Sequence, residues 1–255
     1  MGLAYERLHV NLEKLKLDTI ATILDGYLEV AAKEGCSVTE ILDHLMEEER
    51  CARDASAIER KMRFAGFPVR KTLEEFDFKF QPSVDKKIIK ELTTMRFLHN
   101  TENVVFLGPP GVGKTHLAVG LGIEAIKAGY AVYFANAGAL VEKLKSASRK
   151  DKLDEKLRNL AKFKLIIVDE IGYLPFDTEG AHCLFQLVSK RYEKSSMMFT
   201  SNKSYGEWGQ IFQDPVIAAA VLDRILHHCT TVNIKGGSYR LKDRKKYGLM
   251  GTGEK

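Results

Sequence analysis

The sequence has no pair of cysteines at the spacing of a metal-binding or redox motif. Its four cysteines, Cys36, Cys51, Cys183 and Cys229, lie far apart, so neither a zinc site nor a disulfide framework is expected, and a reducing compartment fits. The first residues lack the basic and then apolar segments of a secretory signal, and no apolar run approaches the roughly 18 residues that a membrane helix requires. These absences predict a cytoplasmic protein that does not enter a membrane.

The chain also lacks a strong charge of one sign. Lysine and arginine together number 39 and aspartate and glutamate 34, which leaves a formal net charge of +5. Such a mild basic excess permits contact with a polyanion without requiring it. Hydrophobic residues make up 45% and charged residues 29% of the 255 residues, which is typical of a soluble globular protein with one large domain or two smaller ones.

Residues 1–68 predict a small all-helical domain that contacts DNA or a partner. Apolar residues recur at helical spacing over residues 17–32, and Gly35 ends that helix. Ser37 and Glu40 have the spacing of a capping box, in which the serine takes a free N–H group of the first turn and the glutamate reaches back. They start a second helix, which a Gly-Phe-Pro sequence at the end of this segment stops.

Residues 69–100 are expected to form a connector and the first helix of a second domain, which occupies residues 101–247. In that domain short apolar runs alternate with helical segments. Continuous apolar strands separated by helices predict a parallel sheet flanked by helices on both faces, which is a three-layer α/β domain. The glycine-containing residues 248–255 are expected to form a flexible tail. The predicted strands lie at 104–107, 132–135, 165–168, 197–200 and 231–234.

A phosphate-binding loop follows the first of these strands. Residues 108–115 match G-x-x-x-x-G-K-[ST], with a strand before them and a helix after them. The glycines let several backbone N–H groups point at one anion, and the helix N-terminus adds its positive end. Lys114 is predicted to reach the β and γ phosphates of ATP, and Thr115 to hold Mg²⁺. The predicted nucleotide contacts are Gly108, Pro109, Pro110, Gly111, Val112, Gly113, Lys114, Thr115 and His116.

Two carboxylates follow the third predicted strand. Asp169 and Glu170 come directly after a buried apolar run, and ligands of open α/β sheets bind at such carboxyl-terminal edges. Asp169 is placed to hold Mg²⁺ together with Thr115, and Glu170 to act as a general base on the attacking water. A second acid beside the metal-binding one favours hydrolysis of ATP over phosphoryl transfer to a small molecule.

Two further polar residues are candidates for the same site. Asn202 follows the fourth predicted strand, where its amide could hydrogen-bond the γ-phosphate or the water, although Ser and Asn also build ordinary turns. Arg224 follows an alanine-rich helical segment. Its guanidinium suits phosphate oxygens, but from the residues alone a solvated or salt-bridged surface arginine is the expected interpretation.

These elements, in this order, resemble the AAA+ ATPases of the helicase-loader branch, and within it the IstB-like transposition helper ATPases of insertion sequences, whose relatives include the helicase loader DnaC. The resemblance covers roughly residues 70–245. The P-loop alone indicates only a superfamily, whereas the sequences at 166–174 and 222–228 are typical of a much smaller group of proteins. The stretches that carry it are 106–116, 166–174, 200–202, 222–228 and 237–242.

The resemblance implies an AAA+ P-loop fold with its strand order. The sequence is expected to depart from larger AAA+ proteins in one respect, which is little or no C-terminal helical lid. It implies that Asn202 is a first sensor and that Arg224 is an arginine finger, so that the nucleotide would lie between subunits of a homo-oligomer. Arg240 is similar in position to a second sensor. The family implies assembly on DNA and a transposase as client. The leading hypothesis is therefore an ATP-dependent assembly on duplex DNA that bends it. The alternative is a replicative helicase loader that acts on single-stranded DNA.

Two basic segments are candidates for contact with DNA phosphates, which needs cations but no base-reading residues. One follows the second strand and includes Lys143, Lys145, Arg149, Lys150 and Lys152. The other, at the end of the N-terminal helices, contains Arg60, Lys61 and Arg63. Solvated helix faces are the simpler interpretation of both. The adjacent His227 and His228 lack i, i+4 spacing, so structural roles and no shared metal are expected for them.

Overall fold

The computed structural model describes residues 2–242. The predicted tail at 248–255 and the predicted end of the core, residues 243–247, lie outside this range, and the expectation of little or no lid concerns the same end of the chain. The chain divides into two compact units, Met1–Arg60 and Lys61–Lys255, and the division falls within a helix. Among the described residues, no helix is long and apolar enough to cross a bilayer.

Helices make up the first unit, as the apolar spacing predicts. Gly35 adopts a left-handed φ of 72° and ends the second helix, and the third begins where Glu40 N donates to Ser37 Oγ at 3.3 Å and Ser37 N donates to Glu40 at 2.7 Å. The predicted stop and capping box are therefore confirmed. The three helices are α1 (Leu3–Lys14), α2 (Asp18–Glu34) and α3 (Val38–Ala65).

A buried acid organises the packing of this unit. The carboxylate of Glu49, on α3, accepts from the backbone N–H groups of Thr19 at 2.9 Å and Ile20 at 3.2 Å, at the start of α2. Arg53 donates to the same carboxylate at 2.8 Å. A negative charge at a helix N-terminus satisfies free N–H groups and is favoured by the helix dipole. Beside it lies a small apolar cluster of Leu12, Ile20, Leu24 and Leu45.

The second unit is a parallel sheet flanked by helices. Its strands are β1 (Asn103–Leu107), β2 (Val132–Asn136), β3 (Leu165–Ile171), β4 (Ser196–Ser201) and β5 (Cys229–Asn233). Its helices are α4 (Lys86–Leu92), α5 (Arg96–His99), α6 (Lys114–Lys127), α7 (Ala137–Ser148), α8 (Leu153–Ala161), α9 (Thr178–Arg191), α10 (Trp208–Phe212) and α11 (Pro215–Leu226). Two short 3₁₀ helices lie at Tyr205–Glu207 and Tyr239–Leu241.

The strand order in the described sheet is β2-β3-β4-β1-β5, and the pairs are parallel. This arrangement confirms the predicted α/β fold and the AAA+ strand order. All five predicted strands exist, although β5 begins at Cys229, ahead of its predicted start. The register aligns Asn136 with Asp169 and Leu107 with Ser201, so neighbouring strands end together at one edge of the sheet.

A buried arginine lies at the opposite edge of the sheet, where β3 and β4 begin. Arg191 ends α9 and is 1% exposed, and its guanidinium donates to the carbonyl oxygens of Leu160, Phe163, Lys164 and Ser196 at 2.8–3.3 Å. Burial lowers the pKa of Arg191 to about 10. Because the carbonyls belong to the segments that lead into β3 and β4, this side chain joins the starts of two central strands.

Candidate nucleotide-binding site

The loop between β1 and α6 is shaped by glycines in conformations that other residues rarely adopt. Gly111 has a φ of 82° and Gly113 a φ of 100°. A Cβ at Gly111 would overlap the Ser238 side chain, and one at Gly113 would lie 2.6 Å from Cε2 of Phe76. Both positions therefore need glycine for backbone conformation and for space. The result is the strand, loop and helix that the motif predicts.

Lys114 begins α6 and lies over the loop. Its half-buried Nζ donates to the carbonyl oxygens of Gly108 at 2.6 Å and Pro109 at 2.8 Å. Burial lowers the pKa of Lys114, the charges of Asp169 and Glu170 raise it, and the charge of Arg240 lowers it. The site thus gathers two cations and two carboxylates around the loop, which suits a polyphosphate with a divalent cation.

One buried hydrogen-bond network joins the ends of three elements. Thr115 Oγ1, on α6, donates to Asp169 Oδ1 at 2.8 Å, and Thr200 Oγ1, on β4, donates to the same oxygen at 2.6 Å. Thr200 Oγ1 also accepts from the backbone N–H of Glu170 at 2.9 Å. Asp169 is 6% exposed and Thr200 is fully buried. The structure therefore brings the predicted metal-binding pair together and adds Thr200, which links both acids.

Glu170 occupies an irregular position in β3. The pairing with β4 shifts between Val168 and Ile171, and Glu170 has a φ of 60°, a left-handed conformation that costs free energy for a non-glycine residue. Its side chain is exposed, and Oε2 accepts from Nδ2 of Asn136 at 2.9 Å. The bulge turns the carboxylate out of the sheet while Asp169 stays buried beside Thr115.

Asn136 is a functional candidate that the sequence reasoning missed. Its Oδ1 accepts from the N–H of Gly138 at 3.0 Å, capping α7, while its Nδ2 faces Glu170. The cap fixes which end of the amide meets the carboxylate. The available signal was a polar residue at the end of a buried strand. Its importance becomes clear only when β2 is known to lie beside β3, the strand that carries the acids.

The connector before α4 packs against the start of α6. Nε2 of His116 lies 2.7 Å from the carbonyl oxygen of Thr72, so this nitrogen carries the proton. The His116 ring contacts the buried Phe76 edge-on at 5.3 Å between centroids, and burial lowers the pKa of His116. These contacts make His116 a link between the connector and the loop, and its predicted contact with the nucleotide stays a prediction.

The segment after β5 docks on the same connector. Ser83 Oγ donates to the carbonyl of Lys235 at 2.7 Å, and Gln81 Nε2 donates to that of Gly237 at 2.9 Å. The N–H of Tyr239 then donates to the carbonyl of Gly111 at 2.9 Å. This docking brings the exposed Arg240 within electrostatic reach of Lys114, and its expected role as a second sensor stays a prediction.

Asn202 and Arg224 occupy different surroundings. Asn202 is exposed directly after β4, at the sheet edge that carries the acids. Arg224 is half-buried on α11, donates to the carbonyl of Ala220 at 2.8 Å and lies 4.8 Å over the ring of Phe185 on α9. Within residues 2–242, these contacts of Arg224 are with its own helix and α9 rather than with the P-loop.

Only some of the cations in the basic segment after β2 are available to a ligand, because others are paired with acids. Lys145 is buried, and its Nζ pairs with Asp177 at 2.7 Å and Glu142 at 2.9 Å, while Arg149 pairs with Glu179 at 2.7 Å. Four further lysines, Lys143, Lys150, Lys152 and Lys156, line an open groove between α7 and α8 together with Glu155 and Asn159. The structure therefore separates a neutralised pair from a row of lysines of which Lys143, Lys150 and Lys152 are exposed.

The basic residues of α3 likewise differ from one another. Lys61 Nζ donates to the carbonyl of Gly129 at 2.6 Å. Arg60 and Arg63 are exposed on the last turns of the helix. The predicted DNA contact of these three residues stays a prediction.

The sheet order, the P-loop and the paired acids at its edge define a P-loop ATP-binding domain of the AAA+ class. Two solved structures share this fold: DnaI, 22% identical with a TM-score of 0.53 over 66% of this chain and 90% of that one, and DnaA from Aquifex aeolicus bound to AMPPCP, 21% identical with a TM-score of 0.53 over 72% and 56%.

The family model described as IstB-like ATP binding protein matches residues 10–247, and the chain belongs to this family. It is 44% identical over 243 residues to an ATP-binding protein of insertion sequence IS21 from Pseudomonas aeruginosa, covering 95% of this chain and 92% of the relative. It is 45% identical over 240 residues to one of insertion sequence IS5376 from Geobacillus stearothermophilus, covering 94% and 96%. The resemblance inferred from the motifs is confirmed.

Proposed function

We propose that this ATP-binding protein hydrolyses ATP with Mg²⁺, assembles on duplex DNA with nucleotide between its subunits, and thereby assists a transposase. The network around Asp169 is the observation that carries the hydrolytic part. Thr115 Oγ1 and Asp169 Oδ1 lie 2.8 Å apart. They are oxygen ligands of the type that Mg²⁺ prefers, and Mg²⁺ held by them would neutralise charge on the β and γ phosphates.

The protein side chains divide the remaining chemistry among them. Lys114 supplies a positive charge to the transferred phosphoryl group, and Glu170 accepts a proton from the attacking water. Asn136, whose Nδ2 donates to Glu170 Oε2 at 2.9 Å, positions this general base. Thr200 positions both acids, because its hydroxyl donates to the Asp169 carboxylate and accepts from the Glu170 N–H group.

The inter-subunit part rests on Arg224 and on the family. The guanidinium lies on α9 and α11 rather than at the loop of its own chain. An arginine supplied by a neighbouring subunit stabilises charge that develops on the phosphoryl group, an effect on the order of 10³-fold or more in rate. Asn202, at the sheet edge, would then sense the γ-phosphate.

The DNA and transposase parts rest on charge and on the relatives. The lysines between α7 and α8 line a groove that suits phosphates, although Glu155 and Asn159 line it as well. Relatives that are 44–45% identical are named as ATP-binding proteins of insertion sequences, and such elements move by means of a transposase.

Solution mass by light scattering tests this proposal. We would measure wild type and Glu170→Gln with and without ATP, and with duplex or single-stranded DNA. The proposal expects a large ATP-dependent complex on duplex DNA that persists longer in the variant, because the variant binds ATP and stalls before hydrolysis. A complex only on single strands would favour a helicase loader, and a monomer under every condition would remove the inter-subunit site.

A further inference from the structure

A cluster of three metal-ligating side chains lies away from the nucleotide site, where the ends of α9 and α11 meet. Glu193, His227 and His228 each present a ligand atom, and within residues 2–242 these atoms all lie within 4.8 Å of one another. The sequence argued against a metal here because the two histidines are adjacent. The fold adds a carboxylate from a segment more than 30 residues earlier in the chain (residue 193 against 227), which the residue spacing did not show.

The backbone around the cluster is held in place. Glu193 follows α9 with a left-handed φ of 56°, which directs its side chain towards His227, whose Nδ1 lies 3.7 Å from Oε1 of Glu193. The carbonyl of His228 accepts from the N–H of Asn103 at 2.7 Å, and the two imidazole rings lie 4.0 Å apart. The three ligands therefore share one small surface.

A fourth side chain orients one of the rings. The hydroxyl of Tyr192 lies 2.8 Å from Nδ1 of His227. Histidine ligands of metals characteristically bond their other ring nitrogen to an oxygen atom, which fixes the tautomer and raises the basicity of the ligating nitrogen. Tyr192 takes this role at Nδ1, which assigns Nε2 of His227 to the ion. The 3.7 Å contact of Glu193 is with Nδ1, so it places the carboxylate beside the ring and is not itself a separation between two ligand atoms.

We propose that Glu193, His227 and His228 bind a divalent transition-metal ion such as Zn²⁺. Two imidazoles and one carboxylate are a zinc ligand set with room for a water, whereas Mg²⁺ and Ca²⁺ prefer oxygen ligands throughout. Bonds of about 2.0–2.1 Å place tetrahedral ligand atoms roughly 3.3 Å apart. The present separations of up to 4.8 Å are larger than that value, so binding requires the three exposed side chains to move closer together.

The bound ion would join α9 to α11 beside Arg224. Arg224 lies three residues before His227 (224 against 227), and its guanidinium rests on Phe185 of α9. An ion bridging the two helix ends would therefore stiffen the support of this arginine. This consequence rests on the proposed function, whereas binding of the ion does not.

Zinc titration of tag-free full-length protein against a chromophoric chelator tests the site, without ATP or DNA, so that a failure of the ATPase proposal would not affect the result. We expect one equivalent of Zn²⁺ that His228→Ala weakens by at least about 10–100-fold and that Tyr192→Phe weakens by about 10-fold. His182→Ala, which removes another exposed histidine from α9, is the matched control and should bind like wild type.

A second readout separates coordination from loose association. Co²⁺ in this site should give the visible absorption of a tetrahedral N,O complex, and that absorption should be absent in His228→Ala. Circular dichroism checks that each variant is folded. Equal Zn²⁺ affinity of wild type and His228→Ala, or an absence of Zn²⁺ binding by wild type, would overturn the proposal.

Discussion

Replacing Thr200 by valine removes one hydroxyl from the centre of the proposed catalytic network and leaves the shape of the side chain nearly unchanged. Thr200 is fully buried, donates to Asp169 Oδ1 at 2.6 Å and accepts from the N–H of Glu170 at 2.9 Å. A hydrogen bond to a charged group contributes about 1.5–3 kcal/mol, and an orphaned N–H group adds to the loss. We therefore expect Thr200→Val to lower the free energy of unfolding by about 3 kcal/mol.

The same substitution should affect hydrolysis more than nucleotide binding. Thr200 contacts both acids and not the loop, so Lys114 keeps its position and ATP affinity should stay within a few-fold of wild type. Loss of a residue that orients a metal ligand typically costs about 10–100-fold in activity, and we expect kcat to fall by that factor and the Mg²⁺ requirement to rise.

Urea unfolding, fluorescent-nucleotide binding and ATPase rates over a range of Mg²⁺ concentrations measure these three quantities. Thr200→Ser keeps the hydroxyl and should restore most of the activity, even if the lost methyl group lowers stability. A Thr200→Val protein that hydrolyses ATP at the wild-type rate and Mg²⁺ concentration would refute the positioning role.

Asn136→Asp keeps the cap on α7 but sets a carboxylate against Glu170, so it should slow hydrolysis at pH 7 without weakening ATP binding or thermal stability; an unchanged ATPase rate would contradict this. Lys145→Ala should lower the urea midpoint of unfolding and leave DNA affinity nearly unchanged. Lys150→Ala should weaken DNA binding in a salt-dependent manner and leave the urea midpoint nearly unchanged. If both variants changed stability and DNA affinity alike, the two lysines would not have separate roles. Asp177 has a pKa lowered by the hydrogen bond from Lys145, so its stabilising contribution is complete above about pH 4 and is lost as the pH falls through the lowered value; Asp177→Asn should flatten that part of the acid-unfolding curve.

Local features of this fold could be predicted from the sequence because their physical cause lies within a few residues. The Gly35 stop, the Ser37–Glu40 capping box and the P-loop each depend on neighbours along the chain, and each is found in the structure. Continuous apolar runs also predict buried parallel strands, so the positions of the five strands were predicted correctly, with small errors at their ends.

Features that depend on which strands are neighbours could not be predicted in the same way. Asn136 meets Glu170 because β2 lies beside β3, and Thr200 meets Asp169 because β4 lies on its other side. Neither adjacency follows from residue spacing. The AAA+ resemblance implied the strand order, but it named no residue at these two positions.

Burial of charge was likewise invisible in the sequence. Lys145 belongs to a run of basic residues, yet Asp177, which neutralises it, comes 32 positions later. The run was therefore interpreted as one surface, whereas the structure divides it into a paired part and an exposed groove between α7 and α8. The approach of Glu193 to His227 depends in the same way on a distant turn.

The central claim is that each active nucleotide site combines residues of two subunits, and mixing two inactive variants tests it directly. Lys114→Ala should not bind ATP productively, and Arg224→Ala should lack the residue supplied to the neighbour. In a one-to-one mixture on duplex DNA, random assembly pairs an intact Lys114 with a neighbour's intact Arg224 at about a quarter of the interfaces. We predict that ATPase activity recovers towards that fraction of the wild-type rate, whereas a mixture as inactive as its two components would contradict the shared site.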